Sequence, residues 1–237
     1  MEISKETLRY LDIFLFTALP YLSVTVFLVV SIMRYRQDTF TYSSLSSQFL
    51  ENKQHFWGLV PFHYGLLVVL TGHVLAFLIP RSILAWNGKP IRLYILEVAA
   101  LICGLLTLVG FLAAIYRRLN SRLVRKVTTV PDWILFWILL FQIVTGVYIA
   151  IFVNWGSSWF AAAVSPYLWS LVKLNPNTAF IIEMPWIVKL HMISAFLLIA
   201  FFPFTRLVHV LVVPNQYLWR RVQVVRWYGF QRAPRGQ

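Results

Sequence analysis

The chain is poor in what a soluble domain needs at its surface. Of its 237 residues only 12% are charged and 59% are hydrophobic, with a mean hydropathy of +0.72. A water-soluble domain of this size could not expose that much apolar surface. There is one cysteine, Cys103. That excludes an intrachain disulfide, and a thiolate iron–sulfur or zinc site built by this chain alone. Within an apolar run, Cys103 reads as a small core residue. The sequence also lacks a glycine-rich phosphate loop, a G-x-S-x-G motif, a low-complexity tract and a repeat period. Acids are scarce, eight against 21 basic residues, for a net charge of +13.

Long apolar runs are what the chain has. Five of them, 13–33, 56–79, 93–116, 133–153 and 187–213, reach the length of about 20 residues that spans a bilayer core. The expected fold is an all-α integral membrane protein with five transmembrane helices. It forms one membrane domain over 1–237, in which 214–237 is a tail. The first run is too long for a signal-peptide core and lacks a small-residue cleavage site, so it is expected to stay. Pro20, Pro61 and Pro203 fall within or at the start of runs, where prolines are tolerated and can bend a helix. Trp57, Trp133, Trp155 and Trp186 mark the ends, as interfacial tryptophans do.

The basic residues orient the spans. With the amino end outside, fourteen fall on the inner side, among them Arg117, Arg118, Arg122, Arg125 and Lys126 and the tail arginines 220–235, against seven outside. The positive-inside rule favours the amino end out and the carboxyl end cytoplasmic. The positive charge then reads as this bias plus attraction to anionic lipid, and calls for no nucleic acid.

Against this background four histidines stand out. His63 and His73 lie on the second run, His191 and His209 on the fifth, where a bilayer disfavours polar side chains. The two runs are antiparallel, so depth pairs His73 with His191 near the outside and His63 with His209 near the inside. Each pair could clamp one haem iron between two imidazoles. Gly65 and Gly72, beside the ligands, are small enough to let a porphyrin approach the backbone. On straight helices the first pair of positions is about 15 Å apart and the second about 27 Å. Tilt, or a bend at Pro203, is needed to absorb part of the difference. The competing reading is four polar residues bonded inside a bundle. His55, at the inner boundary, reads as an interfacial residue and not as a ligand.

One carboxylate, Glu97, lies well inside a run. It is a candidate acceptor for a proton leaving outward, or a structural partner of Arg92 or Lys89.

The stretch Phe62, His63, Tyr64, Gly65, running on to Thr71, Gly72 and His73, resembles the gamma subunit of respiratory membrane-bound nitrate reductase. So does Leu190, His191, Met192, followed by Phe202, Pro203, Phe204, Thr205, Arg206, Leu207, Val208 and His209. Val213, Pro214, Tyr217 and Leu218 continue the likeness into the basic tail. Arg34 and Tyr35, then Ser46, Ser47 and Gln48, resemble the family's first inner loop. The likeness covers all five runs and is weakest over 154–185.

The resemblance implies a dihaem cytochrome b of the plasma membrane that carries two haem b groups. His73 and His191 would ligate the outer iron, and His63 and His209 the inner one. It implies quinol oxidation near the outer face, and electrons passed inward for nitrate respiration. The partners would be an iron–sulfur subunit and a molybdenum catalytic subunit on the cytoplasmic face, docked on 117–126 and 219–237. A basic residue of the loop after the second span would serve the quinol. Here that is Arg92, or alternatively Lys89; an arginine there donates hydrogen bonds but is not equivalent to lysine. Both could instead be snorkelling residues of the interface. Two other classes stay open. One is a related dihaem anchor of another oxidoreductase, in a heterodisulfide-reductase-like, sulfite-pathway or nitrite-oxidising complex. The other is a haem-free membrane subunit or transporter.

Overall fold

The computed structural model describes residues 10–37 and 53–211. The tail 214–237, together with Lys5, Arg9 and Ser46–Gln48, lies outside the described residues. Within them the chain is helical, without a strand. Five helical stretches are long and apolar enough to cross a membrane: Tyr10–Gln37, Gly58–Leu78, Pro90–Asn120, Val130–Phe152 and Trp186–Phe204. A helix satisfies its own backbone polar groups, which is why such runs become helices in lipid. No more than 28% of any of their most apolar windows is buried. Most of the apolar surface therefore points outward, to lipid.

We name the elements in chain order. Helix α1 is Leu19–Gln37, entered through a π-turn at Phe14–Ala18. Helix α2 is Lys53–Leu78, with Pro61 inside it. The short α3, Pro80–Asn87, leads to α4, Pro90–Asn120, and both start on a proline, whose missing N–H costs nothing in a first turn. The turn α5, Arg122–Lys126, is capped by the Ser121 side chain accepting from Val124 N. Helix α6, Val130–Phe152, opens with a capping box: the Thr129 backbone N–H and hydroxyl both donate to Asp132 Oδ2, at 2.9 and 3.1 Å. Then come α7, Gly156–Trp159, a π-turn at Phe160–Val164, and α8, Ser165–Val172. The last is α9, Trp186–Phe201.

The long helices pack in the order α2, α4, α6, α9, α1. The α2–α4 crossing is closest because glycines line it. A Cβ on Gly110 would stand 2.5 Å from Phe62 N, and one on Gly58 3.2 Å from Ala114 N. Phe62, Phe111, Leu135, Leu139 and Ile143 fill the core between α2, α4 and α6. A second core joins Phe16, Tyr167, Val188 and Met192 at the other end, where the buried Tyr167 hydroxyl donates to Phe16 O at 2.8 Å.

The last span departs from the expected continuous helix over 187–213. It leaves α-geometry after Phe201 and continues as two 3₁₀ turns, Phe202–Phe204 and Arg206–Val210, separated by an extended Thr205 (φ −118°, ψ 176°). Pro203 removes a backbone donor there, and the Thr205 side chain accepts from Leu207 N at 3.1 Å to start the second turn. The straight-helix spacing between His191 and His209 therefore does not apply.

Candidate functional site

Helices α2 and α9 are not close neighbours in the packing order; α2 carries His63 and His73, α9 carries His191, and the 3₁₀ turn after α9 carries His209. His63 and His73 are exposed on α2, while His191 and His209 are half-buried. At the end of the bundle that carries Arg117–Lys126, the His63 and His209 ring centroids lie 6.4 Å apart. His73 and His191 lie toward the opposite end. Phe160 packs edge-on against the His73 ring at 5.3 Å.

The ring nitrogens are set by local geometry. Nδ1 of His63 lies 2.7 Å from Leu59 O, that of His73 2.8 Å from Val69 O, and that of His209 2.7 Å from Arg206 O. A carbonyl only accepts, so in each ring Nδ1 carries a proton, and Nε2 is the nitrogen left to ligate. His191 differs. Its Nδ1 is 2.9 Å from Thr145 Oγ1, and its Nε2 is 3.1 Å from the Gln142 amide nitrogen. Gly146 makes room for this, since a Cβ there would stand 3.1 Å from His191 Cε1.

Two imidazoles, each offering an Nε2 lone pair, could hold a haem iron between them. Metal–nitrogen bonds of about 2 Å plus the half-width of each ring put the centroids roughly 6 Å apart, close to the spacing of His63 and His209. Among the described residues no three His, Cys, Asp or Glu side chains converge. His63 and His209 fit one such group, whereas His191 Nε2 is engaged by the Gln142 amide at 3.1 Å.

The two glycines differ. A Cβ on Gly72 would meet nothing within 4 Å, which leaves open space beside His73. On Gly65 it would stand 2.5 Å from Thr107 Oγ1 and 2.6 Å from Cys103 O. Gly65 therefore faces the α4 crossing, where the close approach is that of a helix.

The basic candidates sit where α4 begins. Lys89 is the residue before its first turn, and Arg92 lies over the Trp86 ring at 5.3 Å. The Trp86 indole donates to Arg92 O at 3.3 Å. The expected ion pair of Glu97 with Arg92 or Lys89 is not found among the described residues. Glu97 Oε1 instead accepts from Ser157 N at 2.9 Å and Ser157 Oγ at 2.7 Å. Asn87 donates to the hydroxyls of Ser157 and Ser158. The carboxylate thus ties α7 to α4: half-buried donors at the start of a short helix satisfy it without a cation.

Sequence reasoning passed over the polar groups that hold these histidines. Gln142 and Thr145, on α6, are polar residues in a run that is otherwise apolar for several turns, and that was the available signal. Asp132 sits at the start of the same helix and reads locally as a cap. Tertiary structure adds Arg206 Nε at 3.0 Å and Arg118 Nη1 at 3.6 Å to its carboxylate.

The family model for the nitrate reductase gamma subunit matches residues 12–228. The chain is 34% identical over 212 residues to the nitrate reductase gamma chain of Bacillus subtilis (strain 168), an alignment covering 88% of this chain and 95% of that one. It is 32% identical over 224 residues to the respiratory nitrate reductase 2 gamma chain of Escherichia coli (strain K12), covering 92% and 98%. Together with the five apolar spans, these matches make it a multi-pass membrane protein. The chain belongs to the nitrate reductase gamma subunit family.

Proposed function

We propose that this chain is the membrane-anchoring, electron-transfer subunit of a respiratory nitrate reductase, and that it oxidises quinol at one face and delivers the electrons to partners at the other. The observation that carries this reading is the pair of imidazoles His63 and His209, on different spans, with ring centroids 6.4 Å apart and both Nδ1 atoms tied to backbone carbonyls. His63 and His209 would hold one haem b, and His73 and His191 a second. When bound, the haems supply one-electron carriage between a two-electron quinol and an iron–sulfur acceptor.

The chain's own residues do the rest. The backbone carbonyls of Leu59, Val69 and Arg206 hold three imidazoles in the ligating tautomer. Phe160 packs edge-on against the His73 ring, and Gly72 leaves the backbone bare beside it. Arg92 or Lys89, at the start of α4, would stabilise the negative charge that develops on a quinol oxygen as its proton leaves. In the orientation favoured by the positive charges, that end faces outward. The basic end, 117–126 with the tail, would then face the cytoplasm and the iron–sulfur and molybdenum subunits.

The test is a reduced-minus-oxidised visible spectrum of the complex. Two b-type components are expected. His63→Ala and His209→Ala should remove one of them, and His73→Ala and His191→Ala the other. A complex without haem bands would overturn the reading. A variant pair that lost different components would overturn the pairing.

A further inference from the structure

The two histidines at the basic end of the bundle are not held in the same way. His63 stands within α2, where a regular helix fixes the place from which its side chain leaves the backbone. His209 lacks that support. It lies on the second 3₁₀ turn, Arg206–Val210, separated from α9 by the first turn and the extended Thr205. A contact from outside the turn must fix it if its ring is to stand 6.4 Å from that of His63. Arg206 reaches both ways. Its main-chain carbonyl accepts from His209 Nδ1 at 2.7 Å. Its side chain is gripped at two points: Nε stands 3.0 Å from Asp132 Oδ1, and Nη2 donates to Val127 O at 2.7 Å. Two points fix the direction of a planar guanidinium as well as its place. Asp132 is itself fixed, being 3% exposed and bonded to the Thr129 N–H at the start of α6. Arg34 donates to Pro203 O, but that carbonyl lies on the other side of Thr205 from His209.

We propose that Arg206, held by Asp132, is the positioning residue of the His63–His209 site: its side chain takes its place from α6, and its main chain passes that place on to the His209 ring. This rests on the haem reading above. An imidazole whose Nδ1–H is held by an acceptor is a stronger ligand, and stronger donation favours ferric over ferrous iron. The Arg206 carbonyl performs that task only while the turn keeps its place. Lysine carries the same charge but lacks the rigid fork that meets a carboxylate and a carbonyl at once. Arg206→Lys therefore changes geometry at constant charge, which separates positioning from the electric field of the ion pair.

The experiment records the low-spin ferric EPR signals and a potentiometric titration of the haem bands in membranes carrying the complete complex, with parent, Arg206→Lys, Asp132→Asn and doubly substituted chains. The EPR signal responds to how the two axial rings are turned relative to each other. His63→Ala identifies which component belongs to this site. Arg206→Lys should shift the g-values of that component and raise its midpoint by of order tenfold in its one-electron reduction constant, about 59 mV, or remove that component alone. Asp132→Asn, which keeps an acceptor for the Thr129 N–H, should change the same EPR signal. The double variant should change it no further than the larger single change, as expected of two residues that act through one contact. The proposal is overturned if either substitution leaves that signal and its occupancy at the parent values, if Arg206→Lys alters both components together, as loss of a tie that merely steadies the bundle would, or if the two changes add. A parent complex with no haem bands would instead defeat the haem reading itself.

Discussion

Arg206 Nε lies 3.0 Å from Asp132 Oδ1, so the turn that carries His209 is bolted to the first turn of α6. Arg206 also donates from Nη2 to Val127 O at 2.7 Å, and its own carbonyl accepts from His209 Nδ1. Arg118 approaches the other carboxylate oxygen at 3.6 Å, with its guanidinium 4.4 Å over the Phe136 ring. A carboxylate only 3% exposed is thereby shared by two cations and a helix cap.

Removing that carboxylate should be costly. Asp132→Ala removes the carboxylate that Arg118 and Arg206 share and uncaps α6, and the loss of one partner of a buried pair costs about 3 kcal/mol. Asp132→Asn keeps an acceptor for the Thr129 N–H and should recover about 1 kcal/mol of this, the usual worth of a cap. Thermal unfolding of the detergent-solubilised complex reads both. Equal melting temperatures for Asp132→Ala and the parent would show that the pair contributes nothing.

The two glycines beside the histidines should part company. Gly65→Ala places a methyl against the fixed carbonyl of Cys103 and so must separate α2 from α4, at about 1–3 kcal/mol for an overpacked site. Gly72→Ala meets nothing in the bundle, so melting should be unchanged or slightly raised, since alanine exceeds glycine in helix preference by up to about 1 kcal/mol. If a porphyrin occupies the space beside Gly72, the same variant lowers the content of the haem band that His73→Ala removes. Full haem content in Gly72→Ala would place the porphyrin elsewhere.

Glu97 should behave as a structural acceptor. Glu97→Ala deletes the partner of two Ser157 donors and should loosen the 156–172 segment by about 1–3 kcal/mol, read as faster cleavage of that segment by added protease. Glu97→Gln keeps one carbonyl oxygen and should lie close to the parent in cleavage rate. A proton-accepting role predicts the contrary pattern for quinol: Glu97→Gln would then slow quinol-driven haem reduction as much as Glu97→Ala does, while leaving cleavage untouched.

Arg92 is the first candidate for the quinol cation. Arg92→Ala should slow haem reduction by quinol by about 10²-fold or more, the scale of losing one charge-stabilising donor. Turnover driven by an artificial donor that bypasses the site should persist. Lys89→Ala should have the smaller effect, because Lys89 precedes the helix and is exposed. An Arg92→Ala complex reduced by quinol at the parent rate would transfer the assignment to Lys89 or Glu97.

The sequence by itself determined that this is a five-span membrane protein of the nitrate reductase gamma subunit family, because hydropathy and motif spacing are read along one dimension and need no partner. The histidines were legible for the same reason, as polar side chains placed in apolar runs. Only the tertiary structure decided that Gly65 meets Cys103 and Thr107, that Glu97 is held by Ser157, that Asp132 lies between Arg118 and Arg206, and that His191 turns onto Thr145 and Gln142. Each of these depends on how far a helix is rotated about its own axis. Lipid is as apolar as leucine, so hydropathy carries little information about which face of a membrane helix meets another. The end of α9 at Phe201 was only half legible. Pro203 marks the place, but the Arg206–Asp132 contact next to the extended Thr205, made with a helix far away in the chain, and the approach of His209 to His63 are tertiary.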